Sequence, residues 1–235
     1  MHGGRHGGWC WTRVATRLRA AGHEVHTPTS TGLGERSHLL TPDIGLDTHV
    51  RDLVALFDFE DISNAVLVAH GYGGMVVSGA MEHLADRVRG LVYLDAHMPR
   101  TGESMFDLAD AATTQKLVDL AVAKGEGWYL PPTDASYWGV TSPEDVVWVN
   151  RKTTAHPLKT YQDPVGSTDL AWAHPGTFIE CRDPTRPVLV SPARPRERSA
   201  VDERFHYRVL DAAHDAMITA PKALTELLLE ALAVV

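Results

Sequence analysis

Between Asn64 and Ser78 the chain runs through Ala65-Val66-Leu67-Val68-Ala69, then His70-Gly71-Tyr72-Gly73-Gly74, then Met75-Val76-Val77. An apolar run that breaks into glycines and resumes as apolar residues predicts a buried strand, a sharp turn and the start of a helix. A strand that passes straight into a helix constrains the fold strongly, because the helix must pack back across the strand it has just left. The small residues Ala69 and Gly73 allow that close approach.

The pattern is small-X-nucleophile-X-small, the shape of a nucleophile elbow, whose apex residue sits in a strained backbone conformation. The apex here is Gly71. Glycine adopts such dihedrals at little cost, so it relieves strain of roughly 1 to 3 kcal/mol while removing any reactive side-chain oxygen. Folding survives that exchange; covalent chemistry at the apex does not.

The rest of the chain alternates in the same way. Trp11, Val14 and Leu18 have helical spacing up to a stop at Gly22, and His23 to His26 is strand-like. Asp47 is placed to cap a helix with the apolar face Val50, Leu53, Val54 and Phe57. Further strands are expected at Gly90 to Leu94, Thr177 to Cys181 and His206 to Leu210, with a closing amphipathic helix from Pro221 to Val234. Short apolar strands alternating with helices predict an α/β fold with a mostly parallel sheet flanked by helices.

From Pro99 to Pro175 the rhythm breaks into a helix-like Met105 to Lys124 and a stretch rich in Trp, Tyr and Pro. An insertion that long is expected to be a helical cap over residues 99–175, with the core formed by 1–98 and 176–235. Trp128, Trp138, Trp148 and Tyr161 could line an apolar pocket, with His156 as a polar contact, or pack the cap onto the sheet. His70 and Tyr72 border the turn and are pocket candidates in their own right.

Two segments can complete a site around Gly71. The loop His2-Gly3-Gly4-Arg5-His6-Gly7-Gly8-Trp9 can bring backbone amides to a ligand oxygen, which makes Gly4 and Tyr72 the expected oxyanion donors. Near the other end, His214 follows a predicted strand, where the base of a triad would arrive. Both Asp95 and Asp183 lie just beyond strands, and either could be the acid that fixes the tautomer of His214.

Together these residues resemble the α/β-hydrolase superfamily, in the branch of small esterases that includes plant methylesterases, hydroxynitrile lyases and pyrethroid-hydrolase-like enzymes. The resemblance extends over nearly the whole chain and includes Thr31-Gly32-Leu33-Gly34-Glu35-Arg36, Tyr93-Leu94-Asp95-Ala96 and Ala213-His214-Asp215-Ala216-Met217. It implies an α/β-hydrolase fold with a cap, and it carries the acid to Asp183. The family's serine maps to Gly71. The core strand that would precede His2 is absent from a chain starting at Met1, implying a shortened start or an unusual sheet edge.

Other classes fit less well. A formal charge of -8 without a basic stripe argues against nucleic acid, leaving a small molecule as the expected partner. Gly71-Tyr72-Gly73 mimics a dinucleotide fingerprint, but Val76 occupies the third glycine position. The pairs His2 with His6 and His23 with His26 lack a third metal ligand, so neither metal nor cofactor is expected. Cys10 and Cys181 form no CxxC, no apolar run approaches a membrane span and no signal peptide is recognisable, which predicts a cytoplasmic protein without a membrane partner. The expected function is a His214-based lyase, isomerase or cyclase step on a small carbonyl or ester compound. The alternatives are a carboxylesterase inactivated at residue 71 and a non-catalytic binding protein.

Overall fold

The fold, described by a computed structural model over residues 1–185 and 188–234, alternates helix and strand as the apolar periodicity predicts. Helices α1 (Thr12–Ala20) and α2 (Leu46–Phe59) precede strand β1 (Ala65–Gly71), which turns directly into α3 (Gly73–Leu84). Strand β2 (Val88–Ala96) follows. The chain then makes α4 (Met105–Leu108), α5 (Ala111–Lys124), β3 (Tyr129–Leu130), α6 (Pro143–Lys152), β4 (His156–Pro157), α7 (Lys159–Gln162) and α8 (Asp169–Ala173). It returns to the sheet with β5 (Gly176–Cys181), α9 (Ala193–Ser199), β6 (Phe205–Leu210), α10 (Ala216–Thr219) and α11 (Pro221–Val234).

Among the described residues β1-β2-β5-β6 form a four-stranded parallel sheet, and β3 pairs with β4 in a separate antiparallel sheet. One register row runs Ala69, Tyr93, Phe178, Tyr207 across the main sheet. Alternation sends Leu91, Tyr93 and Phe178 into a core with Leu53, Phe57 and Met75, while Val92, Leu94 and Ile179 pack with Val14, Leu224 and Leu228. The sheet is thus covered by α2 and α3 on one face and by α1 and α11 on the other. Each fully buried Leu- or Phe-sized side chain contributes about 1.5 to 3 kcal/mol through removal from water.

Because the strands are parallel, their carboxyl ends share one edge of the sheet. Gly71 at the end of β1 is in register with Ala96 at the end of β2, and a register shift lies between His70 and Gly71. The site is built on that edge.

Three local expectations are corrected. His23 to His26 is not a strand: it has no ladder partner among the described residues and lines a cavity of about 420 Å³ together with Val66 and Val68 of β1. Along the same side of β1, the Met1 amine donates to the Val68 carbonyl and the His70 amide donates to the Met1 carbonyl at 3.0 Å. Asp47 does not cap α2, since Gly45 is the N-cap and Asp47 pairs with Arg51 one turn on. Met105 to Lys124 is two helices, because Asp110 caps a new one through the Thr113 amide at 2.9 Å.

Candidate active site

Gly71 has φ +51°, the left-handed region that favours glycine. At the next residue the backbone is already helical, so α3 begins at the apex of the turn. Close approach is enforced at Gly74, where a β-carbon would overlap the His97 carbonyl oxygen, and the His97 amide donates to the Gly71 carbonyl at 3.1 Å. These contacts tie the start of α3 to the end of β2.

His214 lies in the loop between β6 and α10, and its Nδ1 is 2.6 Å from Oδ2 of Asp95. A carboxylate only accepts, so Nδ1 carries the proton, and in the neutral ring Nε2 presents a lone pair. That Nε2 is the nearest atom to a β-carbon built on Gly71, at 3.2 Å, and the Gly3 Cα is 3.7 Å from the same point. Asp95 is itself at φ +40°, uncommon for a residue with a side chain, and is 6% exposed. A buried carboxylate in a strained conformation, bonded to a partly exposed imidazole facing an empty apex, is an arrangement suited to proton transfer.

The model of the alpha/beta hydrolase family matches residues 1–227. The chain belongs to that family. A carbendazim hydrolyzing esterase from Nocardioides sp. strain SG-4G is 37% identical over 172 residues, covering 70% of this chain and 71% of that protein. An extracellular alpha/beta-hydrolase from a Paenibacillus species superposes with a TM-score of 0.83 at 20% identity, over 98% of this chain and 96% of that one. Tomato methylketone synthase I complexed with 2-tridecanone gives 0.77 at 17% identity, over 98% and 95%. At such identities the two structural likenesses speak for the fold.

In this alpha/beta hydrolase the two aspartates left open by the sequence are placed differently: Asp95 meets His214, whereas Asp183 accepts hydrogen bonds from the amide and hydroxyl of Thr185. The resemblance implied Asp183; the aspartate in contact with His214 is Asp95, at the end of β2. Position in the chain could not separate two aspartates that each follow a strand.

The expected pocket residues divide. Tyr161 lies against the loop, its hydroxyl occupying the space a β-carbon on Gly4 would need, and its ring stacks on Tyr72 at 5.5 Å. His156 packs against both tyrosine rings and accepts from the Arg5 amide at 3.2 Å. Trp128 packs on Tyr129 and donates to Glu126, and Trp148 meets Trp9 beneath the Arg13 guanidinium. Trp138 packs on His6 at 4.6 Å. His70 is buried, donating from Nε2 to the His214 carbonyl at 3.0 Å, and a β-carbon on Gly3 would stand 2.8 Å from its Nδ1.

Burial holds several of these rings neutral. His2 is pushed down to about 3 by burial and His49 to about 4, and burial also lowers His70 and His156 well below the ordinary histidine range. Two further contacts were not legible in the sequence: His49 accepts from the Tyr72 hydroxyl at 2.9 Å, and His6 meets Asp215 at 3.0 Å. No periodicity marks such pairs, since their partners lie far apart in sequence. Only Asp215, next to His214, could have been flagged by position. Among the described residues no helix is long and apolar enough to cross a membrane.

Proposed function

We propose that this chain catalyses a proton transfer on a small, largely apolar carbonyl compound, with His214 as the base and no acyl-enzyme intermediate. One observation carries this: the His214–Asp95 pair is assembled, and its free Nε2 faces an apex residue with no side chain. A nucleophile is needed for acyl transfer but not for removing a proton beside a carbonyl.

In this mechanism the carbonyl oxygen lies toward the amides of Gly4 and Tyr72, and the carbon beside the carbonyl lies at Nε2 of His214. Nε2 takes the proton, the C–H electron pair becomes the enolate C=C bond, and the developing negative charge settles on the oxygen. Asp95 holds the tautomer and stabilises the imidazolium. Return of the proton to another carbon gives an isomer, and loss of a group from the β-carbon gives a lyase product. Residues 99–175 serve as the cap, a role supported by the placement of Tyr161 and His156 on the Gly4 loop. The free thiols of Cys10 and Cys181 support a reducing, cytoplasmic setting.

The test is proton exchange in D2O, followed by NMR, at the carbon beside the carbonyl in a panel of ketones and esters. Exchange accelerated by the protein and abolished in His214→Ala supports the base. Exchange no faster than buffer across the panel, with folded protein, sinks it.

A second reading is an esterase lacking only its nucleophile. It is favoured by the 37% identity to a carbendazim hydrolyzing esterase and by the 3.2 Å separation at Gly71, which would bring a serine side chain to His214.

A further inference from the structure

We infer that His6 and Asp215 form a buried imidazolium–carboxylate pair that positions both halves of the site, the Gly3-Gly4 loop and His214. The inference rests on the reading of His214 as the base and deepens it. Both side chains are almost completely buried, at 1% and 0% exposure. Nε2 of His6 is 3.0 Å from Oδ2 of Asp215, and Nδ1 is 2.8 Å from the Gly4 carbonyl oxygen.

A carbonyl and a carboxylate both accept, so the two contacts are satisfied together only when both ring nitrogens carry protons. The surroundings suit a cation. Trp9 stacks on the ring at 5.4 Å and Trp138 packs edgewise at 4.6 Å. Burial by itself would lower His6, but attraction to Asp215 and the bonds to Asp215 and Gly4 outweigh it and raise the ring above the ordinary histidine value. The other ionisable neighbours are Arg5, His2, His70, His156 and Cys10. The three histidines among them are neutral, and burial pushes the Cys10 thiol up, so it is neutral too.

The pair reaches the site by two routes. In the loop, His6 fixes the Gly4 carbonyl while His2 donates to the Gly3 carbonyl at 2.8 Å, so the peptides on both sides of Gly4 are held. Arg5 then adopts φ +65°, a conformation that persists in a non-glycine residue only when its neighbours over-determine it. Across the site, Asp215 adjoins the base in sequence, and its amide donates to the Trp138 carbonyl at 3.2 Å. Its Oδ1 lies 3.9 Å from Nε2 of His70, the atom that donates to the His214 carbonyl. The backbone of the base is held by the Asp215 amide on one side and by His70 on the other, with Oδ1 of Asp215 beside His70 but not hydrogen-bonded to it. His6 and Asp215 are positioning residues and do not touch the reacting atoms.

The test is ¹⁵N NMR of the histidine rings in the wild-type protein from pH 6 to 9, with His6 identified by its contacts to Trp9 and Trp138. Two protonated nitrogens on His6, persisting above the pH at which exposed histidines lose their charge, are expected. A single protonated nitrogen, meaning a neutral ring beside a protonated Asp215, overturns the inference without bearing on His214. Asp215→Asn is then compared by hydrogen exchange at residues 3–6 and by turnover. Exchange at Gly4 at least tenfold faster, with kcat lowered more than KM, is expected of a positioning pair. A lower melting temperature with Gly4 exchange unchanged would make the pair merely structural and refute the positioning role. If instead the wild type catalyses no proton exchange in substrate while His6 is doubly protonated and Gly4 responds, the base reading fails and the effect on the loop stands.

Discussion

Nε2 of His214 stands 3.2 Å from the point a β-carbon on Gly71 would occupy, nearer than any other atom outside the turn itself. Serine at this position would meet the imidazole at once, with the ring giving by a few tenths of an ångström. Gly71→Ser is therefore expected to raise hydrolysis of p-nitrophenyl esters by roughly 10²-fold or more, since loss of a triad nucleophile elsewhere costs on the order of 10⁶. The gain should vanish in Gly71→Ser/His214→Ala. At φ +51° the serine also introduces strain of about 1 to 3 kcal/mol, visible as a lower melting temperature. No gain in a folded variant would argue against an esterase missing only its serine.

The two candidate acids give a sharper contrast. Asp95→Asn leaves a side chain that can donate to Nδ1, which reverses the tautomer and turns Nε2 from acceptor to donor. Turnover should fall by roughly 10² to 10⁴. Asp183→Asn should leave it within about twofold, because Asp183 is engaged with Thr185. Rate measurements on the two variants side by side decide the matter, and equal losses would refute the assignment of Asp95.

That contrast also marks what the sequence could reveal. The turn at Gly71 and the four strands around it were legible because glycine spacing and apolar runs are local consequences of close backbone approach and burial. His214 was legible because it follows a strand. Choosing between Asp95 and Asp183 was not, since both obey the same local rule and only the path of the loop after β6 brings His214 over β2. For Trp128 and Trp148 the choice between lining a pocket and packing the cap was not legible for a related reason: composition placed them in one segment, but the direction of each ring depends on the packing of α6 and β3. The His23 to His26 segment has strand-like residues but lacks the neighbour that would make it a strand.

Gly74 tests how the start of α3 is held. A β-carbon there would overlap the backbone oxygen of His97, which cannot swing aside as a flexible side chain could. Gly74→Ala should therefore destabilise by about 1 to 3 kcal/mol or more, although alanine is otherwise the better helix former. Thermal unfolding followed by circular dichroism should show a melting temperature lower by several degrees. An unchanged or higher value would mean that α3 can move away from the end of β2.

The buried histidines predict how stability responds to pH, and the signs differ among them. His2 and His49 have folded values of about 3 and about 4, below the ordinary 6.5, so the unfolded chain binds more protons between those limits. Their stabilising contribution is present above pH 6.5 and is lost as pH falls toward 4 and 3, each with a slope of up to about 1.4 kcal/mol per pH unit. His6 is raised, so its contribution is complete below 6.5 and is lost as pH rises through its folded value. Melting temperature should therefore drop steeply from pH 6.5 to 4 and more gently on the alkaline side. His49 accepts from the Tyr72 hydroxyl and donates to the Thr31 carbonyl, two bonds a glutamine can imitate without titrating. His49→Gln should flatten the acid limb, and an acid limb of unchanged slope would show that this ring does not carry it.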